Sequence, residues 1–258
     1  MFSDERNKLK IMGGGSGIVQ ENKGNLILSG NGEVAGGVFE NVIINGNGTV
    51  NGEIECDKFE CNGSAKIKGD ILSRITEIKG NTKVYGNVEA NVIDLQGNSN
   101  ISGKITFERL VIKGNASLRN GIKGENVSLE GMVKINGDCE VENAYLNGAF
   151  TIDGLINGDK VGINLHGKSF VNEIGGEKIS VKRVGHTFLH LDKLFKSLSK
   201  ELHVELIEGD DIILEYTKAK TVRGNRVSIG PGCEIELLEY RNELTISDEA
   251  LVKVKNKI

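Results

Sequence analysis

Residues 79–105 read KGNTKVYGNVEANVIDLQGNSNISGKI and contain two copies of one short pattern. Gly80 and Gly86 stand six residues apart, and Gly97 and Gly103 repeat that pair in the next unit. Isoleucine, valine and leucine recur at fixed distances from these glycines. The stretch therefore predicts a repeat protein built from 17-residue units.

The same spacing extends in both directions along the chain. The first glycine of each unit recurs with six consecutive steps of 17 after Gly46, in the series Gly30, Gly46, Gly63, Gly80, Gly97, Gly114, Gly131, Gly148 and Gly167. At the glycine content of this chain, six such hits have a chance probability on the order of 10⁻⁵. We conclude that the period reflects the fold.

Aliphatic residues lie at even distances from these glycines, for example Val84 and Val88 after Gly80 and Leu95 before Gly97. Side chains at every second position share one face only on β-strands, and branched aliphatic residues suit a half-buried sheet. Because a period of 17 is odd, the alternation must break once per unit, at a corner between the ninth and the twelfth residue after the first glycine. The pattern predicts short strands in coils that stack in parallel around an aliphatic core.

The predicted fold class is all-β: a right-handed parallel β-helix, or β-solenoid, of 17-residue coils. Residues 1–24, charged and then rich in glycine, are interpreted as a flexible N-terminal leader. Residues 25–175 are assigned to a β-helix of about nine coils. The glycine period is lost in residues 176–203, which are assigned to connecting strands and a helix. Residues 204–258 are assigned to further β-strand coils, because isoleucine recurs there with a step of 17.

The predicted helix is short and amphipathic. It covers residues 191–202, where apolar residues fall at i, i+3, i+4, i+7 and i+11: Leu191, Leu194, Phe195, Leu198 and Leu202. Packing against the side of the solenoid or capping a coil is one interpretation, and contact with a partner or a membrane surface is the other.

Composition limits the classes of function. The 258 residues carry a net charge of −4, which argues against a dedicated nucleic-acid-binding protein. The sequence contains no run of 18 apolar residues, so it predicts no transmembrane helix. The N-terminus lacks the apolar region of a secretory signal. The four cysteines form no CxxC pair, which favours reduced thiols and a cytoplasmic protein.

No catalytic motif emerges, and we predict neither an enzyme nor a cofactor or metal site. His186 and His190 are four residues apart, but Thr187 stands where a zinc protease of the HExxH type needs its glutamate. Asp210 and Asp211 are adjacent on a predicted strand, so their carboxylates would point to opposite faces. A carbohydrate-active β-helix enzyme remains a remote alternative, which would require a clustered acidic groove.

Units such as AKIKGDILS at residues 65–73 and TKVYGNVEANVIDLQG at residues 82–97 resemble the bactofilins, the polymer-forming cytoskeletal proteins of bacteria. The tail EGDDIILEYTKAKTVRGNRVSIGPGCEI is similar to longer bactofilin-like proteins of Gram-positive bacteria. The resemblance implies a right-handed, triangular β-helix that assembles end to end without nucleotide. It also implies a scaffolding role in the cytoplasm, at the inner face of the cell membrane.

The ends of a solenoid expose strand edges and core side chains, which a monomer must cap and a filament can stack. We therefore predict self-association through the terminal coils, at Leu26, Leu28, Val34 and Val38 and at Val252 and Val254. The expected partner is another copy of the chain, with a paralogous scaffold protein and peripheral membrane contact as further partners, and no nucleic acid. The alternative is a capped β-helical module that binds a protein partner and does not polymerise.

Overall fold

The computed structural model describes residues 8–12, 15–17, 24–184 and 200–258. These residues form parallel β-strands and no helix. The chain divides into unit 1 (Met1–Gly124) and unit 2 (Glu125–Ile258).

The strands of unit 1 are short, and most coils use more than one. They are β1 (Lys8–Met12), β2 (Gly15–Gly17), β3 (Asn25–Ser29), β4 (Asn31–Val38), β5 (Asn41–Ile44), β6 (Asn47–Cys61), β7 (Ser64–Ile67), β8 (Ile71–Ile78), β9 (Asn81–Val84), β10 (Val88–Leu95), β11 (Asn98–Ile101) and β12 (Ile105–Leu118). Strands β8, β10 and β12 pair in parallel with a constant step of one period, since Ile71 meets Val88 and Val88 meets Ile105. The predicted solenoid and its period are therefore present in unit 1.

One coil of unit 1 shows why the period is odd. In β10, Val88 and Ala90 point inward, and the next inward residues are Ile93 and Leu95. The alternation breaks at Asn91 and Val92, within the segment that the sequence pattern required. Strand β11 follows on a third side, so each coil has three faces. The aliphatic core residues Ile93, Leu95 and Ile101 are 0–1% exposed.

The glycine columns sit where consecutive coils touch through their backbones. A Cβ built on Gly63, Gly80 or Gly97 would lie closer than 3.0 Å to the carbonyl oxygen of the column's preceding glycine. Substitution at these positions would force neighbouring coils apart, so the repeated glycine follows from close backbone approach.

Unit 2 has longer strands that bend around the corners. They are the C-terminal part of β13 (Ile122–Ile135), β14 (Cys139–Leu165), β15 (Ser169–Arg183), β16 (Leu202–Leu214), β17 (Thr217–Ile229), β18 (Glu234–Ile246) and β19 (Leu251–Lys257). Strands β14 to β19 pair in parallel, each with the next. Their core column Ile174, Ile207, Val222 and Leu238 is 0–1% exposed.

The predicted amphipathic helix is absent from the residues that the structure describes, so this part of the predicted fold class is wrong. Leu202, the last residue assigned to it, begins strand β16, and the described residues contain no helix. Residues 191–199 of the prediction lie outside the described residues. Strand β15 pairs directly with β16, Ser169 with Leu202, so the intervening chain is an insertion between two stacked coils.

The register in unit 2 also differs from the simple 17-residue step. Ile212 pairs with Val227 and not with Ile229, because the step from β16 to β17 is 15. The short connection between these strands contains Tyr216, which has a φ of 47°. Ile229 then pairs with Ile246, which restores the step of 17.

Candidate functional site

Three of the four N-terminal residues predicted to self-associate lie inside the solenoid, and the fourth is exposed. Leu26, Leu28 and Val34 are 0–1% exposed, and Val38 is 42% exposed. Strand β3 pairs with β1, Leu26 with Leu9, and β4 pairs with β2. Both β1 and β2 fall within residues 1–24, so a further coil precedes the one that carries Leu26.

The sequence contains a signal for this earlier coil. Leu9 and Ile11 precede Leu26 and Leu28 by one full period, the step that relates β8, β10 and β12. The pairing of β1 with β3 and of β2 with β4 places the N-terminal edge of the described strands at β1 and β2.

The C-terminal predicted residues lie on an open strand edge. Strand β19 is hydrogen-bonded to β18 alone among the strands described above, through contacts such as the Ile258 amide donating to the Tyr240 carbonyl at 2.9 Å. Val252 is half-buried, and Val254 is 50% exposed. The edge therefore offers unpaired backbone groups beside apolar side chains.

Two further residues belong to this apolar end. Leu244 and Ile246 are half-buried, whereas Val227 and Ile229, their partners in β17, are 3% and 1% exposed. Sequence reasoning did not assign these residues to the end, although they are the last members of the isoleucine and valine series that repeats from Val227 and Ile229. We call Leu244, Ile246, Val252 and Val254 the C-terminal apolar end.

A lysine occupies the core column at this end. The register places Lys255 next to Leu238, in the column that holds Val222 and Ile207 in the preceding coils. Lys255 is exposed, so its aliphatic stem can cover Leu238 while its ammonium stays in water. Together with Lys253 and Lys257, it gives the edge strand the lysine content that opposes pairing between strand edges.

Opposite charges alternate along the outward columns of unit 2. Lys178, Asp211, Arg226 and Glu243 occupy one column in successive coils, and the Arg226 guanidinium donates to both carboxylate oxygens of Asp211 at 2.5 and 2.6 Å. This guanidinium lowers the pKa of Asp211 below its ordinary value. A pairing of Asp210 and Asp211 as catalytic carboxylates finds no geometric support, since Asp211 is held by Arg226.

A second column alternates in the same way. Glu205 pairs with Lys220, and Lys253 pairs with Glu236 at 3.1 Å between Nζ and Oε1. Glu205 raises the pKa of Lys220, and the charge of Glu236 adds a smaller effect in the same direction. Such columns favour the observed register, because opposite charges are direct neighbours in it.

The cysteines are buried free thiols. Burial raises the pKa of Cys56 and of Cys139 to about 12, and that of Cys233 to about 11. Thiols in this state are protonated and inert near neutral pH. They act as small apolar members of the core columns.

Within the described ranges, no group of three or more His, Cys, Asp or Glu side chains could hold a metal ion. His186 and His190 lie outside those ranges. His203 stacks on Phe170 at 5.1 Å between ring centroids, and its Nε2 lies 2.8 Å from Glu201 Oε1. No helix long and apolar enough to cross a membrane occurs in the part of the chain that the structure describes.

Part of the chain is similar to two proteins of Bacillus subtilis (strain 168). YhbE, described as an uncharacterized protein, is 46% identical over 107 residues, which are 41% of this chain and 44% of YhbE. YhbF, also described as uncharacterized, is 38% identical over 106 residues, 41% of this chain and 42% of YhbF. The match thus spans less than half the length of each relative. No protein-family model and no solved structure matches the chain significantly.

Proposed function

We propose that this protein is a non-enzymatic bacterial scaffold that self-associates end to end through its terminal coils, without nucleotide. The observation that carries the proposal is the open edge of β19 beside the C-terminal apolar end, where half-buried Leu244, Ile246 and Val252 continue columns that are buried one coil earlier. A further coil stacked on this edge would bury these side chains and pair the free backbone groups. The repeat's resemblance to the bactofilins supports the same function.

The proposed partner is another copy of the chain or a paralogous scaffold protein. The proposed location is the cytoplasm, at the inner face of the cell membrane. Both follow from the resemblance to the bactofilins.

A specific observation favours a second candidate function, a capped module that binds a protein partner as a monomer. Lys255 interrupts the core column, and Lys253 and Lys257 place two further ammonium groups on the same strand. Two such ends would repel each other, which is how edge lysines prevent strand pairing in natural β-proteins.

Two substitutions distinguish these functions. Val252→Lys adds a charge to the C-terminal apolar end and, under the first proposal, abolishes assembly, whereas Thr245→Lys adds the same charge on an exposed outward position of β18 and leaves assembly intact. Lys255→Leu completes the core column and strengthens assembly under both proposals. Circular dichroism of each variant is the control that tests whether the solenoid is still folded.

The measurements are sedimentation velocity over a range of protein and salt concentrations, and negative-stain electron microscopy. Concentration-dependent oligomers or filaments of the unchanged protein, lost in Val252→Lys, support the scaffold. A monomeric unchanged protein with an assembling Lys255→Leu variant supports the capped module. If both the unchanged protein and Lys255→Leu are monomers at every concentration, self-association through this end is refuted.

A further inference from the structure

On one face of unit 1, four successive coils carry positive and no negative side chains. Strands β7, β9, β11 and the end of β12 pair in parallel there, in the segments 64–68, 81–85, 98–102 and 115–119, which read SAKIK, NTKVY, NSNIS and NASLR. We call these four segments the cationic face. They contain Lys66, Lys68, Lys83 and Arg119 and no aspartate or glutamate.

Like charges are neighbours on this face, in contrast to the alternating columns of unit 2. Lys66 and Lys83 are directly paired in the register of β7 and β9, and both are exposed. No carboxylate of the described chain forms an ion pair with either of them, and the 3.8 Å contact between Lys68 and Glu33 is the one ion pair that the face makes there. Like charges placed directly opposite destabilise a sheet, so this arrangement costs stability unless an anion binds.

An exposed tyrosine lies between these lysines. Tyr85 is 43% exposed, and the Nζ atoms of Lys83 and Lys66 lie 4.7 and 5.6 Å from its ring centroid. The hydrogen bond from Lys83, and the charge of Lys66 with it, lower the pKa of the Tyr85 hydroxyl. The exposed tyrosine ring is thus held on the surface by cation–π contacts with the two ammonium groups that lie over it.

A column of amides runs beside the lysines. The Asn98 amide donates to Asn81 Oδ1 at 2.9 Å, and the Asn115 amide donates to Asn98 Oδ1 at 3.1 Å. Each amide has a second N–H and free lone pairs, which remain available to hydroxyl groups. Because successive coils are about 4.8 Å apart, these amides recur at short, regular intervals across the face.

We propose that the cationic face binds an anionic glycan, a chain of sugars with carboxylate or phosphate groups, which lies across the coils. Lys66 and Lys83 bind its anionic groups, the Tyr85 ring packs against a sugar, and the amides of Asn81 and Asn98 bind hydroxyl groups. The proposal is independent of self-association and concerns a different part of the chain.

The same residues fit other anionic partners less well. Single-stranded nucleic acid is bound by several aromatic platforms along a basic groove, and this face presents the single ring of Tyr85. A lipid surface requires apolar side chains that insert among the headgroups, and Tyr85 is the one large apolar side chain exposed on these segments. Amides in register favour a polar polymer.

The experiment measures binding by isothermal titration calorimetry at low ionic strength with polygalacturonate, and with a teichoic-acid-like glycerol phosphate polymer as the phosphate arm. Neutral dextran tests whether charge is needed. Vesicles of phosphatidylcholine with phosphatidylglycerol, and poly(dT), test the two other classes of partner. The variants are Lys66→Gln with Lys83→Gln, and Tyr85→Ala.

The matched control is the double variant Lys104→Gln with Lys113→Gln, which removes the same charge from exposed positions on the other faces of unit 1. We expect one of the anionic glycans to bind and neutral dextran not to bind. Loss of Lys66 and Lys83 weakens that binding by about tenfold, since each exposed ion pair contributes about fivefold or less. The control changes it by less than about twofold.

Equal weakening by the two double variants would show non-specific attraction and overturn the proposal. Binding to poly(dT) or to the vesicles without binding to either glycan would overturn it as well. Loss of binding in Tyr85→Ala with both lysines present supports the role of the ring.

Discussion

Adjacent glycines in unit 2 provide a direct test of why glycine recurs in this chain. A Cβ built on Gly176 would lie closer than 3.0 Å to the carbonyl oxygen of Gly158 in the preceding coil. A Cβ on Gly175 would meet its nearest neighbour, Asn157 Oδ1, at 3.4 Å, which is close to an ordinary contact. Neither glycine has a positive φ, so the two differ in space and not in backbone strain.

The magnitudes follow from these distances. Overpacking against a backbone atom that cannot rotate away costs about 3 kcal/mol, at the upper end of the usual range. Replacing glycine by alanine returns about 0.7 kcal/mol, because the unfolded chain loses freedom. Gly176→Ala should therefore destabilise the protein by about 2 kcal/mol, and Gly175→Ala should be neutral or stabilise it slightly.

Thermal unfolding followed by circular dichroism measures the difference. A loss of about 2 kcal/mol lowers the melting temperature by about 4–8 °C in a chain of this size. Gly175→Ala should melt within about 2 °C of the unchanged protein. Equal melting temperatures of the two variants would refute the claim that close backbone contact between coils dictates the glycine column.

Three other predictions concern the core and the surface charges. Cys56 and Cys139, with pKa values raised to about 12, should not react with Ellman's reagent at about pH 8 until the protein is unfolded in denaturant. Phe59→Ala, at a position with 0% exposure, should lower the free energy of unfolding by about 3–5 kcal/mol in a denaturant titration. Because Arg226 lowers the folded-state pKa of Asp211, that carboxylate stabilises the fold above its unfolded pKa and the effect is lost as the pH falls through the folded value. Asp211→Asn should thus lower the melting temperature at about pH 7 and not at about pH 2, and equal shifts at both would contradict the ion pair.

The stacking of coils could be predicted from the sequence. Each coil makes the same contacts with the next coil, so core residues and glycines recur at the same positions in each repeat. Ile93 and Leu95 are inward at the distances from Gly97 that recur throughout the series, and both are 0–1% exposed. The odd period further required a corner, which occurs at Asn91. Such local rules suffice where each coil meets a near copy of itself.

The prediction failed where the copies diverge. Leu202 fits both a helical spacing with Leu198 and a strand alternation with Val204. In the structure it is part of a strand, because β16 pairs with β15. The shorter step between β16 and β17 could not be predicted, because Ile212 and Ile229 preserve an apparent step of 17. Tertiary pairing overrides a local pattern in both cases.

The candidate surfaces were less predictable than the core. Exposure of Leu244 and Ile246 depends on which strand follows them, and the position of Lys255 in the core column is evident only once β19 is in register with β18. The cationic face likewise depends on which residues of successive coils become neighbours, as Lys66 and Lys83 do.

The constant period of unit 1 restricts how such a chain can change its length during evolution. Deletion of one residue from β10 would move every later inward side chain of that coil outward, since Ile93 and Leu95 would exchange faces with their neighbours. After deletion of one whole repeat, each residue of a column would still pair with the equivalent residue of the neighbouring coil. Insertions between coils are tolerated, because strands β15 and β16 pair directly although residues 184–201 separate them in the chain. Length in this fold therefore varies by whole coils, or by segments inserted between two paired strands.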